Sequence, residues 1–307
     1  MTSQDDSFSQ YIYTILNPAS GNADVQSVEQ ALADLCQRNG WKNEVYRMSG
    51  DEDLAEVAQQ AGSQGATRIA AAGGDGTVTG VINGLVDSNV PVAIIPIGTG
   101  NGLARAMKIP LKIEEAVKLL EGEYRVQEID AMRVNEKHYV LNVSAGISSR
   151  AMRETPSEEK QRKGILAYIE SILKDDSKDE ARIFDLEIDG HHLRVEAVEV
   201  LVSNGRILEG SPLMYGKRDT FADGQWQANV LGAKNMSEVV NLAWDLLVDA
   251  DEGNSKLHRL AVRKQMRIDT QGQPMPVQAD GEVIGQTPVN LNLVPKAVRL
   301  IVPDEKV

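Results

Sequence analysis

The chain has 307 residues, a length at which a single core usually gives way to two domains. Its composition is 42% hydrophobic and 25% charged, with 26 Gly and 11 Pro, which excludes a collagen-like, disordered or disulfide-stapled protein. The formal net charge of -13 repels polyphosphate backbones, so nucleic acid is not expected as a partner. A single cysteine, Cys36, favours a reducing compartment. Because neither a signal peptide nor a long apolar run occurs, we expect a cytoplasmic protein with no transmembrane segment.

Short apolar runs alternate with amphipathic helical stretches over the first hundred residues. The runs predicted as strands are Tyr11 to Leu16, Trp41 to Arg47, Thr67 to Ala72 and Pro91 to Ile95. Between the first two runs, residues 25–39 carry apolar side chains at helical spacing, and Asp24 is placed to cap that helix. Ser49 and Glu52 have the spacing of a capping box for a second helix that ends near Gln64. This alternation predicts two βαβ units and a parallel sheet covered by helices.

The pattern changes after about residue 125, where apolar runs follow one another with few helices between them. These runs are Tyr139 to Val143, Arg182 to Ile188, Leu193 to Val202 and Leu257 to Ile268. Asp189-Gly190 separates two of them and predicts a two-residue hairpin turn. Helical spacing interrupts this half at residues 158–174 and 237–250. We therefore expect the second half to be mainly antiparallel β-structure.

Small-residue loops follow three of the four strands predicted in the first half. They are Asn17–Gly21, Gly73–Thr77 and Pro96–Asn101. A glycine-rich turn before a helix presents backbone N–H groups and the positive end of the helix dipole to phosphate oxygens. Because parallel strands end at one edge of a sheet, we expect the three loops to converge on a nucleotide or phosphoryl site. Taken alone, GGDGT could also be a tight Asp-Gly turn, and its spacing matches neither the Rossmann fingerprint nor the Walker P-loop.

Four motifs together resemble a known family. They are NPASG at 17–21, GGDGT at 73–77, PIGTGNGLAR at 96–105 and Asp280-Gly281-Glu282. Their order and separation resemble the lipid kinases with a diacylglycerol kinase catalytic domain, including bacterial diacylglycerol and sphingosine kinase relatives, whereas GGDGT alone is shared with NAD kinases and, loosely, phosphofructokinases. The resemblance implies an α/β nucleotide-binding domain of NAD kinase type, with a parallel sheet, at residues 1–127, completed by 297–307. It also implies an antiparallel β-sandwich domain for the acceptor or lipid at 128–296.

The resemblance further implies roles for individual residues. ATP would be bound through the three loops, by Asn17, Ser20, Gly21, Gly73, Gly74, Asp75, Gly76, Thr77, Gly98, Thr99, Gly100 and Asn101. Mg²⁺ would be organised by Asp75, with Asp130 and Asp223 at a structural metal position. Asp280 would take the proton from the acceptor hydroxyl, and Glu282 would support it. The residues by themselves leave Asp280-Gly281 and Asp223-Gly224 open as ordinary tight turns.

Two departures from the family pattern keep other functions open. Gly102 stands where the family usually places an acid that contributes to the metal network, and Gly146–Ser149 lacks the aromatic residue and the acid that relatives often have. The leading expectation is an ATP- and Mg²⁺-dependent kinase for a diacylglycerol- or sphingosine-like lipid, visiting a membrane surface as a peripheral protein. The alternatives are a kinase for a soluble acceptor such as NAD or a sugar, and a non-catalytic nucleotide- or lipid-binding protein. The sequence leaves the oligomeric state open.

Overall fold

The chain forms two compact units. A computed structural model describes residues 10–21, 24–50, 52–122, 124–149, 181–205, 221–232, 257–272 and 274–304. Unit 1 comprises Met1–Ile129 with Lys296–Val307, and unit 2 comprises Asp130–Pro295. The helices expected at 158–174 and 237–250 lie outside the described residues. None of the helices in the described part of the chain is long and apolar enough to cross a bilayer.

Unit 1 is an α/β structure built on a parallel sheet. Its strands are β1 (Tyr11–Leu16), β2 (Lys42–Arg47), β3 (Arg68–Gly73) and β4 (Val92–Pro96), which pair in the order β2-β1-β3-β4. Its helices are α1 (Val25–Asn39), α2 (Leu54–Ser63), α3 (Asp75–Asn83), α4 (Gly102–Ala106) and α5 (Ile113–Lys118). All positions of β1, β3 and β4 are buried, as expected for strands of a parallel sheet that is covered on both faces. The α/β class predicted for this half is confirmed.

Helix α1 shows why the first half was readable from its sequence. Val28, Leu32 and Leu35 point into the same core as Ile12 of β1, so the apolar stripe at helical spacing is the packed face. The side chain of Asp24 accepts a hydrogen bond from the backbone N–H of the third helical residue. Capping of this kind satisfies one of the N–H groups that a helix start leaves without a partner.

The start of α2 differs from the expectation. The N-cap is Asp53, whose carboxylate accepts hydrogen bonds from the N–H groups of Ala55 and Glu56. Glu52 instead turns back and accepts from the N–H and hydroxyl of Ser49. The Ser49 and Glu52 pair therefore closes the turn before the helix, and the capping-box assignment was wrong by one turn.

Unit 2 consists of antiparallel strands in two layers. The strands that follow α5 are β5 (Tyr124–Val134), β6 (Lys137–Tyr139), β7 (Asn142–Gly146), β8 (Arg182–Ile188), β9 (His191–Ala197), β10 (Glu199–Ser203), β11 (Trp226–Leu231), β12 (Leu257–Val262), β13 (Gln265–Thr270), β14 (Pro276–Ala279), β15 (Glu282–Gln286) and β16 (Val289–Pro303). One layer has the order β12-β11-β10-β7-β14-β15, and the first residues of β16 continue into β13, β8 and β9 as the other. A shared apolar core joins the layers, with Phe184 and Leu186 on one side and Val143, Val200 and Val277 on the other. The predicted antiparallel β-sandwich is confirmed.

Several apolar runs of this half contain a turn that their hydrophobicity conceals. Tyr139 ends β6 and Asn142 begins β7, so the run expected from Tyr139 to Val143 is broken at residues 140–141. The other two breaks fall at Val198, between β9 and β10, and at residues 263–264, between β12 and β13. Val198 and residues 140–141 are buried, so these corners keep the apolar composition of the strands around them.

The last strand connects the two units along the chain. Residues 289–292 of β16 pair antiparallel with β13, whereas Leu300 pairs in parallel with Val92 of β4. The end of β16 therefore completes the sheet of unit 1.

The Asp189-Gly190 hairpin is confirmed, and its carboxylate has a structural role. Both residues have positive φ, 51° and 88°, as a type I′ turn requires. The carboxylate of Asp189 accepts hydrogen bonds from the backbone N–H groups of Arg263 at 2.8 Å, Lys264 at 2.8 Å and Gln265 at 3.0 Å. Burial alone would raise the pKa of Asp189, but these bonds lower it below its ordinary value.

We expect Asp189→Asn to lower the free energy of unfolding by about 1 kcal/mol at pH 7, because the amide offers one acceptor oxygen where two are used. A depressed folded-state pKa gives stability that is present above the ordinary pKa, about 3.9, and is lost as the pH falls through the folded value. The variant should therefore show a weaker loss of stability below about pH 4. Urea unfolding across pH measures this. The control is Asp185→Asn, in the same hairpin, which loses only a surface ion pair with Arg194 at 3.7 Å; equal effects of the two variants would contradict the assignment.

Candidate functional site

Three loops meet at the carboxyl ends of β1, β3 and β4 in unit 1. They are residues 17–21, 73–77 and 96–101, and their backbones come into direct contact. A Cβ atom on Gly98 would lie 2.4 Å from the Cα of Gly74, and one on Gly21, which has φ +58°, would lie 2.9 Å from the carbonyl oxygen of Ile97. Any side chain at Gly98 would force the loops apart, because such distances are shorter than real contacts allow.

Side-chain hydrogen bonds hold the three loops together. The Asn17 amide donates to Thr77 Oγ1 at 3.0 Å, and Ser20 Oγ accepts from the N–H of Gly74 at 3.2 Å. Asn101 bonds to both the N–H and the carbonyl of Gly98, at 3.1 and 2.7 Å. The structure thus brings together the candidate residues that the three motifs supply.

The first turn of α3 faces this junction. Its N-cap is Gly74, which has no side chain to satisfy the N–H groups at the helix start. Gly76 in the first turn and Thr99 and Gly100 in the third loop are exposed. Uncapped N–H groups, the positive helix end and nearby backbone without Cβ atoms together form a cradle for phosphate oxygens. The residues present therefore fit the phosphates of a nucleotide.

Asp75 lies in the middle of this cradle. Its Oδ1 accepts a hydrogen bond from the N–H of Gly102 at 2.6 Å, and a Cβ on Gly100 would lie 2.7 Å from its Oδ2. Burial raises the pKa of Asp75 above its ordinary value, while the N–H groups of residues 101–103 act against that shift. A partly buried carboxylate at a phosphate cradle suits a magnesium ion, which proteins commonly hold through one or two carboxylates and the substrate phosphates.

In unit 2, Asp280 belongs to the hairpin turn between β14 and β15. Asp280 and Gly281 have positive φ, 45° and 91°, and Ala279 pairs with Glu282 across the turn. The Asp280 carboxylate is nevertheless buried and accepts three backbone hydrogen bonds, from Val140 at 2.9 Å, Leu141 at 3.0 Å and Asn142 at 2.9 Å. Asp280-Gly281 is therefore a tight turn whose carboxylate is fixed in place at the same time.

Glu282 begins β15 and is exposed. Burial raises the pKa of Tyr139 to about 12, and the negative charges of Asp280 and Glu282 contribute to the increase. Asp280 and Glu282 therefore both raise the pKa of the same buried phenol, that of Tyr139.

The two remaining metal candidates lie in unit 2. Asp130 is buried, and its Oδ2 accepts from the N–H of Gly224 at 2.8 Å. Its carbonyl accepts from the amide of Asn204 at 2.7 Å, and Asp223 beside Gly224 is exposed. The structure thus places Asp130 against the Asp223-Gly224 turn. Within the ranges that the structure describes, no three His, Cys, Asp or Glu side chains are grouped as a metal site.

The sequence reasoning missed a polar face on the β12-β11-β10-β7-β14-β15 layer of unit 2. Opposite the apolar core, the strands β7, β10, β11 and β14 carry buried polar side chains, namely Asn142, Ser144, Glu199, Ser203, Gln227, Asn229 and Gln278. Their signal is a polar residue at every second position, as in Asn142 and Ser144. This alternation is usually interpreted as a solvated strand face, which is why the sequence alone did not single it out.

The comparisons with known proteins agree with this architecture. Residues 11–134 match the family described as diacylglycerol kinase catalytic domain, and residues 141–302 match the YegS C-terminal NAD kinase beta sandwich-like domain. The chain therefore belongs to the diacylglycerol kinase-like family of lipid kinases.

Individual relatives are distant but cover nearly all of the chain. It is 25% identical to a protein of Bacillus subtilis named diacylglycerol kinase, over 95% of this chain and 96% of the relative. It is 27% identical to a Pseudomonas putida protein named probable lipid kinase YegS-like, over 91% of each. A crystal structure from Bacillus anthracis, of a candidate diacylglycerol kinase, superposes with a TM-score of 0.81 at 25% identity, covering 100% of this chain and 99% of that one. The chain also spans 58% of the length of an uncharacterized Synechocystis protein to which it is 26% identical.

We expect Gly98→Ala to destabilise unit 1 by about 2 kcal/mol or more, because the added methyl group overlaps the backbone of Gly74. The reciprocal change, Gly74→Ala, is the matched control, because its Cβ would lie 3.4 Å from the Cα of Gly98, an ordinary contact. It should cost less than about 1 kcal/mol, the scale of a weakened helix N-cap. Thermal and urea unfolding compare the two. Equal losses would show that the loops do not depend on this close approach.

Proposed function

We propose that the chain is an ATP- and Mg²⁺-dependent kinase that transfers the γ-phosphoryl group to a hydroxyl of a diacylglycerol- or sphingosine-like lipid. Membership in the lipid kinase family and the names of the relatives support the reaction class. The observation that carries the proposal is the phosphate cradle formed by the three glycine loops of unit 1.

In this proposal the loops of unit 1 bind the nucleotide phosphates. The first-turn N–H groups of α3 and those of the exposed Thr99 and Gly100 donate to the phosphate oxygens. Asp75, together with the phosphates, would hold Mg²⁺, whose positive charge would stabilise the charge that develops on the transferred group. Asp130 and Asp223 are proposed for a second, structural magnesium ion.

Asp280 is proposed as the general base. As the acceptor oxygen bonds to the γ-phosphorus, the bond from that phosphorus to the bridging oxygen of ADP breaks, and the hydroxyl proton passes to the Asp280 carboxylate. Three backbone N–H groups hold this carboxylate in one orientation, and positioning of this kind supplies much of the rate in phosphoryl transfer. Glu282, exposed beside it, supports the same step.

A lipid acceptor makes the membrane surface the place of reaction. The expectation of a peripheral, transient membrane visit follows from a water-insoluble acceptor. Gly102 favours a second candidate, a nucleotide-binding protein without turnover, because a glycine stands beside Asp75 at the position where the family pattern has an acid.

We expect the protein to transfer label from γ-labelled ATP to a component of a lipid extract, in a Mg²⁺-dependent reaction followed by mass spectrometry. Asp280→Asn should reduce the rate by about 10²- to 10⁴-fold while nucleotide binding is kept, as for removal of a general base. Labelling of NAD or a sugar in place of lipid would exclude the lipid acceptor.

The matched control for this variant is Asp189→Asn. Asp189 also begins a two-residue turn, with positive φ and a carboxylate that accepts three backbone N–H bonds. Asp189→Asn should disturb its turn in the same way without affecting transfer, whereas Asp280→Asn should lose transfer. Equal turnover in both would remove Asp280 from the mechanism.

Gly102→Asp tests the second candidate. The new carboxylate would stand at the first residue of α4, whose N–H already contacts Asp75, and its charge should tighten Mg²⁺ binding by about tenfold. Gly102→Asn is the control of equal size without the charge. Titration calorimetry with Mg²⁺ and ATP, together with the transfer assay, measures both effects. If neither rises in Gly102→Asp relative to Gly102→Asn, the missing acid does not limit the protein.

A further inference from the structure

A chain of hydrogen bonds runs through the buried polar face of unit 2 towards Asp280. The Gln278 amide nitrogen donates to Ser144 Oγ at 2.9 Å, and Ser144 Oγ lies 2.7 Å from Ser148 Oγ. The Ser148 hydroxyl donates to Glu199 Oε1, and its backbone N–H donates to Glu199 Oε2 at 3.0 Å. Glu199, at the far end, is 5% exposed.

The chemistry of these groups gives the chain one direction. The backbone N–H of Gly281 can only donate, so Gln278 turns its amide oxygen towards Gly281 and its amide nitrogen towards Ser144. Ser144 Oγ therefore accepts from Gln278, and the hydroxyl protons of Ser144 and Ser148 are directed towards Glu199, whose carboxylate accepts at this end. Gly281 at one end and Glu199 at the other therefore favour the same orientation of the Gln278 amide.

The other end of Gln278 holds the turn that carries Asp280. Its Oε1 accepts from the N–H of Gly281 at 3.2 Å, and its amide nitrogen also donates to Asn142 Oδ1 at 2.7 Å. The backbone N–H of Asn142 in turn donates to the Asp280 carboxylate. Gln278 therefore contacts both Gly281, which follows Asp280, and Asn142, whose N–H donates to the Asp280 carboxylate. A reversed amide would place N–H against N–H at Gly281.

We propose that Glu199 and Gln278 are positioning residues, which fix the Asp280-Gly281 turn, and with it the carboxylate, through this one-way chain of hydrogen bonds. The effect on catalysis rests on the proposed function, whereas the effect on the turn does not. Burial raises the pKa of Glu199 above its ordinary value, and hydrogen bonds from Ser148 and Ser144 act against that shift, as expected for a carboxylate that is held buried by donors alone.

The variants separate the effect of hydrogen-bond direction from the effect of side-chain size. Glu199→Gln keeps the size of the side chain but offers one acceptor oxygen to the two donors of Ser148, so the chain can reverse. Gln278→Met keeps the length and removes both hydrogen-bonding ends. Ser148→Ala removes the middle of the hydrogen-bond chain while the side chains of Glu199 and Gln278 are both kept. Gln227→Met is the matched control, because Gln227 is a buried glutamine on the same face that bonds to Asn229 and not to the turn.

Hydrogen exchange and the ¹⁵N chemical shift of the Gly281 amide report on the turn without any assay of activity. We expect Glu199→Gln, Gln278→Met and Ser148→Ala each to speed exchange at Gly281 by about tenfold or more, and Gln227→Met to leave it unchanged. In the transfer assay the same three variants should lower kcat about 10- to 100-fold with KM for ATP unaltered. The double variant of Glu199→Gln with Gln278→Met should be no worse than Gln278→Met alone, because both act through one chain.

The two levels of the proposal can fail separately. Unchanged exchange at Gly281 in the folded variants, or fully additive effects in the double variant, would overturn the positioning role. If wild-type protein transfers no phosphoryl group while exchange at Gly281 responds as expected, the proposed function fails and the positioning of the turn stands.

Discussion

The contact between the backbones of Gly74 and Gly98 is the constraint on which the arrangement of the three loops at the carboxyl ends of β1, β3 and β4 depends. A side chain at Gly98 would overlap the backbone of Gly74, so the two loops pack main chain against main chain at this point. The hydrogen bonds of Ser20 and Asn101 to these glycines hold the contact in place. Glycine loses more conformational freedom on folding than other residues, so these loops reduce stability. They leave the start of α3 without a side-chain cap.

Asp75 also lowers the stability of unit 1, through the burial of its charge. Its raised pKa means that burial weakens the ionised form more than the surrounding N–H groups strengthen it. Such a group lowers the stability of the folded protein at neutral pH, and groups of this kind concentrate at functional sites. The carboxylate also holds the N–H of Gly102, so the same side chain ties two loops together.

How far the sequence predicts the structure depends on what each strand has on its two faces. Strands β1 and β4 of unit 1 are buried at every position, and the apolar runs beginning at Tyr11 and Pro91 therefore give their positions within one residue. In the β12-β11-β10-β7-β14-β15 layer of unit 2, one face packs on the core and the other buries polar groups such as Glu199 and Gln278. Polarity at alternate positions does not distinguish a solvated face from a buried hydrogen-bonded one, because the difference lies in partners distant along the chain. The glycine loops were recognisable from local sequence, whereas the hydrogen-bond chain behind Asp280 was not.

Two Asp-Gly turns of unit 2, Asp189-Gly190 and Asp280-Gly281, illustrate this limit. Asp189 and Asp280 have the same local conformation, and each carboxylate accepts from three consecutive backbone N–H groups in the same pattern. The bonds at Asp189 are exposed and those at Asp280 are buried. At the second turn, Gln278 Oε1 also accepts a hydrogen bond from the N–H of Gly281. An Asp-Gly pair therefore specifies the turn. Whether the carboxylate is held by exposed hydrogen bonds or fixed in a buried network depends on residues that are distant in the sequence and pack against the turn.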